Sequence, residues 1–178
     1  METIDSAQVH ENPWFAVRQD TIRRRDGSIG QYWLVDSADI ALVVPLDGKR
    51  LHLVEQDRHP IGRRSWEFPS GTVDRADPDP ATTATRELRE ETGLVTGGLS
   101  LVGRFDVTPS TLTQSCSVFL ATELAAGAPQ RELEEQDMRS AWFTRAEVEQ
   151  MIVDGSLADA KSLAAYALLL AAGVLPPL

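Results

Sequence analysis

The sequence predicts an α/β or α+β sandwich in which a mixed β-sheet carries packed helices, and three observations lead there. Strand-like alternation recurs before residue 60 and again after residue 98. One well-capped helical segment at 79–92 separates these strand regions, and the chain closes on helical segments reaching about residue 172. At 178 residues the chain is long enough to bury roughly 70% of the surface its unfolded form exposes, so no disulfide framework or structural metal is required for folding.

Taken in order, the first dozen residues are polar, end at Asn12-Pro13 and read as a loose arm. Segments 14–25 and 29–36 alternate about the turn Arg25-Asp26-Gly27-Ser28, which predicts a hairpin. Segments 40–46 and 50–55 repeat the pattern about Asp47-Gly48. In 79–92 the apolar residues Ala81, Ala84 and Leu88 recur at helical spacing, Asp79 stands as N-cap, Pro80 occupies the first helical position and Gly93 ends the helix. Strands are expected at 99–107, 115–124 and 140–143. Thr144 and Glu147 have capping-box spacing and open a helix to about Asp154, and 157–172 makes the last helix. We divide the chain into an N-terminal arm and hairpin region, 1–38, and a main domain, 39–178.

Seventeen Lys and Arg against 27 Asp and Glu leave a net charge of −10, which opposes a nucleic-acid polymer or an anionic membrane as partner. A small anion is still admissible, because the acids concentrate at 74–94 and 131–149 while 18–25 and 49–64 are basic. Cys116 is the single cysteine and suits a reducing cytoplasm. The start has no signal-peptide pattern, and the charge-free stretch 162–178 contains Pro176 and Pro177 and falls short of a span of about 20 apolar residues.

The segment Arg86-Glu87-Leu88-Arg89-Glu90-Glu91-Thr92-Gly93-Leu94 carries the chemistry. At about 100° per residue, Glu87, Glu90 and Glu91 share an arc of roughly 100°. Like charges at this spacing, towards a helix C-terminus, are unfavourable unless something offsets them. A divalent cation does so, and hard oxygen ligands without histidine point to Mg²⁺ or Mn²⁺. The competing reading is a solvated face on which Arg86 and Arg89 pair with the glutamates.

Gly71 followed by 86–94 resembles the Nudix box, G-x5-E-x7-R-E-U-x-E-E-x-G-U, with U a bulky aliphatic residue. The last nine positions match in full, but Gly71 lies one residue too far from Arg86, and Pro78 stands where the first box glutamate would fall, between Asp77 and Asp79. The resemblance implies a Nudix-type α/β/α sandwich with Glu87, Glu90 and Glu91 as metal ligands, Arg86 orienting a box carboxylate, and Gly71 and Gly93 as structural glycines.

Val54-Glu55-Gln56-Asp57-Arg58 and Trp66-Glu67-Phe68-Pro69-Ser70-Gly71 are similar to the segment before the box in ADP-ribose pyrophosphatases, and Pro109 stands near that branch's marker proline. The likeness implies substrate contacts from Arg58 and Glu67 and a metal-binding carbonyl at Ser70. Trp66 could stack on a base or belong to the core, and Arg63 and Arg64 could touch phosphate or flank a strand. The acidic stretch 131–139 resembles the branch's catalytic loop, which implies Glu134, or as second choice Glu135, as the base, acting with Glu90 on the metal helix. Where the branch often has an acidic residue that contacts ribose, this chain has Gln114. The resemblance further implies a homodimer that exchanges N-terminal hairpins. The expected activity is Mg²⁺-dependent cleavage of ADP-ribose or a related nucleoside diphosphate sugar to a nucleoside monophosphate and a sugar phosphate. The alternatives are a GDP-sugar or oxidised nucleotide as substrate, or a non-catalytic nucleotide sensor.

Overall fold

The computed structural model describes residues 1–74, 77, 79–131 and 135–175. Contacts divide the chain into two compact units. The first comprises Met1–Asp39 and Asp106–Ser115 and contains a three-stranded antiparallel sheet in the order β1 (Glu2–Glu11), β2 (Phe15–Arg23), β3 (Ile29–Ser37). The hairpin from β2 to β3 follows the predicted alternation, and its turn is closed by Arg24 N–H donating to the Ser28 carbonyl at 2.8 Å.

The first dozen residues correct the sequence reading, because the expected loose arm is strand β1. All of its residues are exposed, so no alternation of buried and polar side chains marks it. It is held by its ladder to β2, interrupted by two irregularities in register, and by Ser6 Oγ donating to Asp20 at 2.6 Å. The side-chain oxygen of Asn12 accepts from the amides of Trp14 and Phe15, which turns the chain into β2. Residues 106–115 are tied to β3 of the same unit: Val35 N–H donates to Thr111 O at 2.8 Å, and the Tyr32 hydroxyl donates to Ser110 O at 2.7 Å. The Gln114 amide donates to Ser37 Oγ at 3.0 Å and Ala38 O at 2.6 Å, so within this unit it acts as a tether.

The second unit comprises Ile40–Phe105 and Cys116–Leu178. Its strands are β4 (Ile40–Asp47), β5 (Arg50–Arg58), β6 (Arg63–Glu67), β7 (Ser70–Thr72), β8 (Leu94–Asp106), β9 (Ser115–Ala126) and β10 (Arg139–Thr144). They order as β10-β5-β4-β9-β8, with β6 also paired to β5 and β7 to β4. The sheet is mixed: β4 runs parallel to β9 but antiparallel to β5 and β7. The near-continuous apolar run of β4 fits a strand buried on both faces. β8 starts at Leu94, five residues before the expected start at 99.

Helix α1 (Pro80–Thr92) begins where Asp79 accepts from Thr82 N–H at 2.8 Å and ends on Gly93 in the left-handed conformation, φ 75°. Ala84 and Leu88 on its buried face pack with Ala41 and Val43 of β4 and Phe119 and Ala121 of β9. Burying a leucine of this kind contributes about 2 kcal/mol, and this packing fixes which side of α1 faces the sheet. Helix α2 (Arg145–Asp154) has the full capping box from Thr144 and Glu147. Helix α3 (Ala160–Ala171) starts three residues later than the apolar pattern suggested, because Asp159 caps it by accepting from Ser162 N–H at 2.9 Å. The buried Ser162 hydroxyl in turn accepts from Phe68 N–H at 2.9 Å, tying α3 to the segment before β7. Among the described residues no helix is long and apolar enough to cross a membrane.

Candidate active site

Helical periodicity and capping place Glu87 and Glu91 on the same buried stripe of α1 as Ala84 and Leu88, facing β7 and β4 instead of solvent. Glu87 is 8% exposed and Glu91 1%. The solvated-face reading therefore fails for these two residues. Glu90 lies at the flank, where Arg86 donates to it at 2.8 Å.

Gly71 on β7 shows why the box needs a glycine. A Cβ there would lie 1.9 Å from Glu87 Oε1 and 2.2 Å from its carboxyl carbon, so the bare backbone forms the cradle in which this carboxyl lies. The neighbouring Ser70 amide donates to the Glu91 carboxyl, while Glu91 Oε2 has no hydrogen-bond partner among the described residues. Burial, followed by the charges of Glu87, Glu135 and Glu67, pushes the Glu91 carboxyl well above its ordinary range. Burial likewise raises Glu87 to about 7, against the opposing pull of Arg86 and with further upward pressure from Glu90 and Glu135.

Arg86 gathers the acids. Its guanidinium lies 2.9 Å from Glu87, 2.8 Å from Glu90 and 3.5 Å from Asp77. Asp77 also accepts from Thr83 Oγ1 at 2.7 Å. An acid beside the position of the absent first box glutamate therefore reaches the box arginine by another route; Pro78 itself lies outside the described residues.

The strand pair β5 and β6 brings Arg58 to Glu67 in a two-pronged pair, Nε to Oε1 at 2.7 Å and Nη2 to Oε2 at 2.5 Å. Glu67 is 1% exposed, and the pairing raises the Arg58 pKa. Asp159 and Glu91 are close enough to act electrostatically on Arg58. A cavity of about 390 Å³ opens here, lined by Arg58, Arg63, Ser65, Glu67, Asp159 and Lys161. Trp66 is not brought to it: strand alternation turns it to the other face of β6, where its ring meets Phe143 edge-on at 4.8 Å. Arg63 lines the cavity while donating to Gly155 O at 3.0 Å, whereas Arg64 is engaged by Glu55 and Asp137.

Of the acidic loop, Glu134 lies outside the described residues. Glu135 is near enough to Glu87 and Glu91 to raise both. The loop's attachment, through Arg131, was not marked by any sequence motif: its Nε donates to Glu91 O at 3.1 Å and its Nη1 to Met138 O.

Among the described residues no group of three or more His, Cys, Asp or Glu side chains is already gathered as a metal cage, since Arg86 draws Glu87 and Glu90 to itself. The donor chemistry nonetheless fits a divalent cation. Two buried carboxyls face one another's charge, one has an oxygen without a partner, and all donors are hard oxygens. Glu87, Glu90, Glu91 and the Ser70 carbonyl are the groups that would hold it.

Comparisons with known proteins agree with this architecture. The NUDIX domain family matches residues 36–166, and the nucleoside diphosphate sugar hydrolase N-terminal domain family matches residues 1–35. An ADP-ribose pyrophosphatase of Mycobacterium tuberculosis (strain ATCC 25618 / H37Rv) is 36% identical over 165 residues, covering 92% of this chain and 80% of that protein. An ADP-ribose pyrophosphatase of Bacillus subtilis (strain 168) is 31% identical over 130 residues, covering 72% and 69%. A solved structure described as an ADP compounds hydrolase superposes with a TM-score of 0.82 at 17% identity, over 94% of this chain and 90% of that one, and so shares the fold. With its box helix, buried glutamates and glycine cradle in place, this chain belongs to the NUDIX domain family of hydrolases.

Proposed function

We propose that this protein hydrolyses the pyrophosphate linkage of ADP-ribose or a related nucleoside diphosphate sugar, releasing a nucleoside monophosphate and a sugar phosphate, with Mg²⁺ or Mn²⁺ as cofactor. The observation that carries the reading is the pair of buried carboxyls Glu87 and Glu91, set beside a glycine cradle and within the electrostatic reach of Glu135. The named relatives support the substrate class.

A divalent cation bound by Glu87, Glu90, Glu91 and the Ser70 carbonyl would supply charge neutralisation at phosphate and lower the pKa of a coordinated water. Arg86 bridges the buried Glu87 and Glu90 at the helix flank. Glu134, or as second choice Glu135, takes a proton from the attacking water as its oxygen bonds to phosphorus and the bridging P–O bond breaks. Arg58, pre-aligned by Glu67, presents a guanidinium to phosphate or ribose oxygens. The exposed Trp14, Ile29 and Trp33 of the N-terminal unit support a homodimer, which light scattering on the purified protein would test.

The test is chromatographic product analysis with ADP-ribose, other nucleotide sugars and oxidised nucleotides, with Mg²⁺ and with chelator. Metal-dependent appearance of AMP and ribose 5-phosphate is the expected result. Tight ligand binding with no cleavage of any panel member overturns the reading.

A further inference from the structure

We propose that Arg131 is a positioning residue for the catalytic base: it links the end of the metal helix to the turn that carries Glu135. The inference rests on the second of the two readings of the base, Glu135, and goes beyond it by naming what holds that base in place.

The last carbonyls of α1 have no intrahelical partner, as at any helix end. Here the segment after β9 supplies partners. Gln130 N–H donates to Glu90 O at 2.9 Å, and Arg131 Nε donates to Glu91 O at 3.1 Å. A cation at this end of the helix is also favoured by the helix dipole. The approach is close: a Cβ on Gly93 would lie 2.7 Å from Pro129 N and 2.9 Å from Gly127 O, so 127–131 passes directly over the helix cap.

The same guanidinium then turns back on its own loop. Arg131 Nη1 donates to Met138 O, and Met138 N–H donates to Glu135 O at 2.9 Å. Gln136 Nε2 donates to Arg131 O at 3.0 Å. Glu135 is thereby connected to the Glu91 backbone through Arg131 and one further turn. Met138, 2% exposed, anchors the far end of the turn in the core, and Arg64 holds Asp137 by both its carboxylate, at 2.5 Å, and its carbonyl, at 3.1 Å. A carboxylate that must meet a water on the metal helix is thus referenced to that helix by a planar guanidinium that spans two carbonyls. Lysine, with one point of attachment, reproduces part of this.

The experiment is a double-mutant cycle of Arg131→Ala and Glu135→Gln, with Arg131→Lys as third variant, each assayed for kcat and KM with Mg²⁺ and ADP-ribose. Thermal unfolding with and without Mg²⁺ accompanies each assay. Arg131→Ala is expected to lower kcat by about 100-fold, the effect of misplacing a catalytic group by about 1 Å, with KM within threefold and the Mg²⁺-induced rise in melting temperature retained. Arg131→Lys recovers part of the rate. In the Glu135→Gln background Arg131→Ala costs little more, because the two act as one unit. A wild-type kcat in Arg131→Ala, or full additivity of the two losses, overturns the inference while leaving Glu135 as base. A wild-type rate in Glu135→Gln removes the base assignment on which the inference rests. If Arg131→Ala does not fold, the decision passes to Arg131→Lys: an unchanged kcat refutes, and a reduced kcat absorbed by Glu135→Gln supports.

Discussion

Replacing His52 by leucine isolates one source of acid sensitivity in the domain that carries the site. His52 lies on β5, 6% exposed, its ring edge-on to Trp142 at 4.6 Å and its Nδ1 without a hydrogen-bond partner among the described residues. The nearby Arg50 guanidinium lies 5.4 Å from the Trp142 ring centroid. Burial depresses the His52 pKa from 6.5 to about 4. Because the folded pKa lies below the unfolded one, the unfolded chain takes up this proton first as pH falls. The stability associated with neutral His52 is therefore complete above pH 6.5 and is lost as pH falls towards 4. Between those two values each pH unit costs about 1.4 kcal/mol, so the loss amounts to about 1.4 kcal/mol at pH 5.5 and about 2.5 kcal/mol at pH 4.5. Urea unfolding of wild type and His52→Leu at pH 7.5, 5.5 and 4.5, in chelator, measures it. The titrations of Glu87 and the other acids are common to both proteins and cancel in the difference. The variant should gain on wild type by the amounts above as pH falls, whatever its offset at pH 7.5. Two curves that stay parallel to within about 0.5 kcal/mol, the ordinary scatter of independent effects, would show that burial does not hold this ring neutral.

Four further outcomes follow from the site. Glu91→Gln should cost about 10³-fold in kcat while keeping the fold, and the rise in melting temperature on adding Mg²⁺ should vanish; an unaffected rate sinks the metal assignment. Gly71→Ala drives a methyl into the place of Glu87 Oε1, so activity should fall by about 100-fold with circular dichroism unchanged, and retention of full activity would refute the cradle. Arg58→Lys replaces the two-nitrogen fork on the buried Glu67 by a single ammonium; a stability loss of about 1–3 kcal/mol and a raised KM are expected, read by urea unfolding and steady-state kinetics. Asp77→Asn keeps a partner for Thr83 but removes charge from Arg86, and a fall in kcat/KM of only about 2- to 10-fold is expected, in keeping with a 3.5 Å pairing; a loss as large as that of Glu91→Gln would make Asp77 a principal ligand.

Much of the fold could be read from the chain because its signals are local. The Asp79 cap, Pro80, the spacing of Ala84 and Leu88, and Gly93 bounded α1 to the residue, and the Thr144 and Glu147 box did the same for α2. Strand β1 escaped because a strand exposed along its whole length has no burial pattern to display, and its order comes from its ladder to the following strand β2. The short strands β6 and β7 were not assigned because each is defined by its partner, β5 or β4, more than by its own residues. Residues 106–115 follow β8 in sequence but fold with β3, a pairing that local patterns cannot express.

The same division holds for the site. Sequence by itself determined which acids share a face of one helix, that hard-oxygen chemistry belongs to them, and which family motif they form, because helical period and side-chain type are local properties. Tertiary structure decided which of those acids are buried, since Ala84 and Leu88 must face β4 and β9, and they carry Glu87 and Glu91 inward with them. It also turned Trp66 away from Glu67, brought Asp77 to Arg86, and let Arg131 link the end of α1 to the turn at Glu135. These are meetings of groups whose contact depends on packing and backbone hydrogen bonding across the fold, where side-chain spacing along the chain has no bearing.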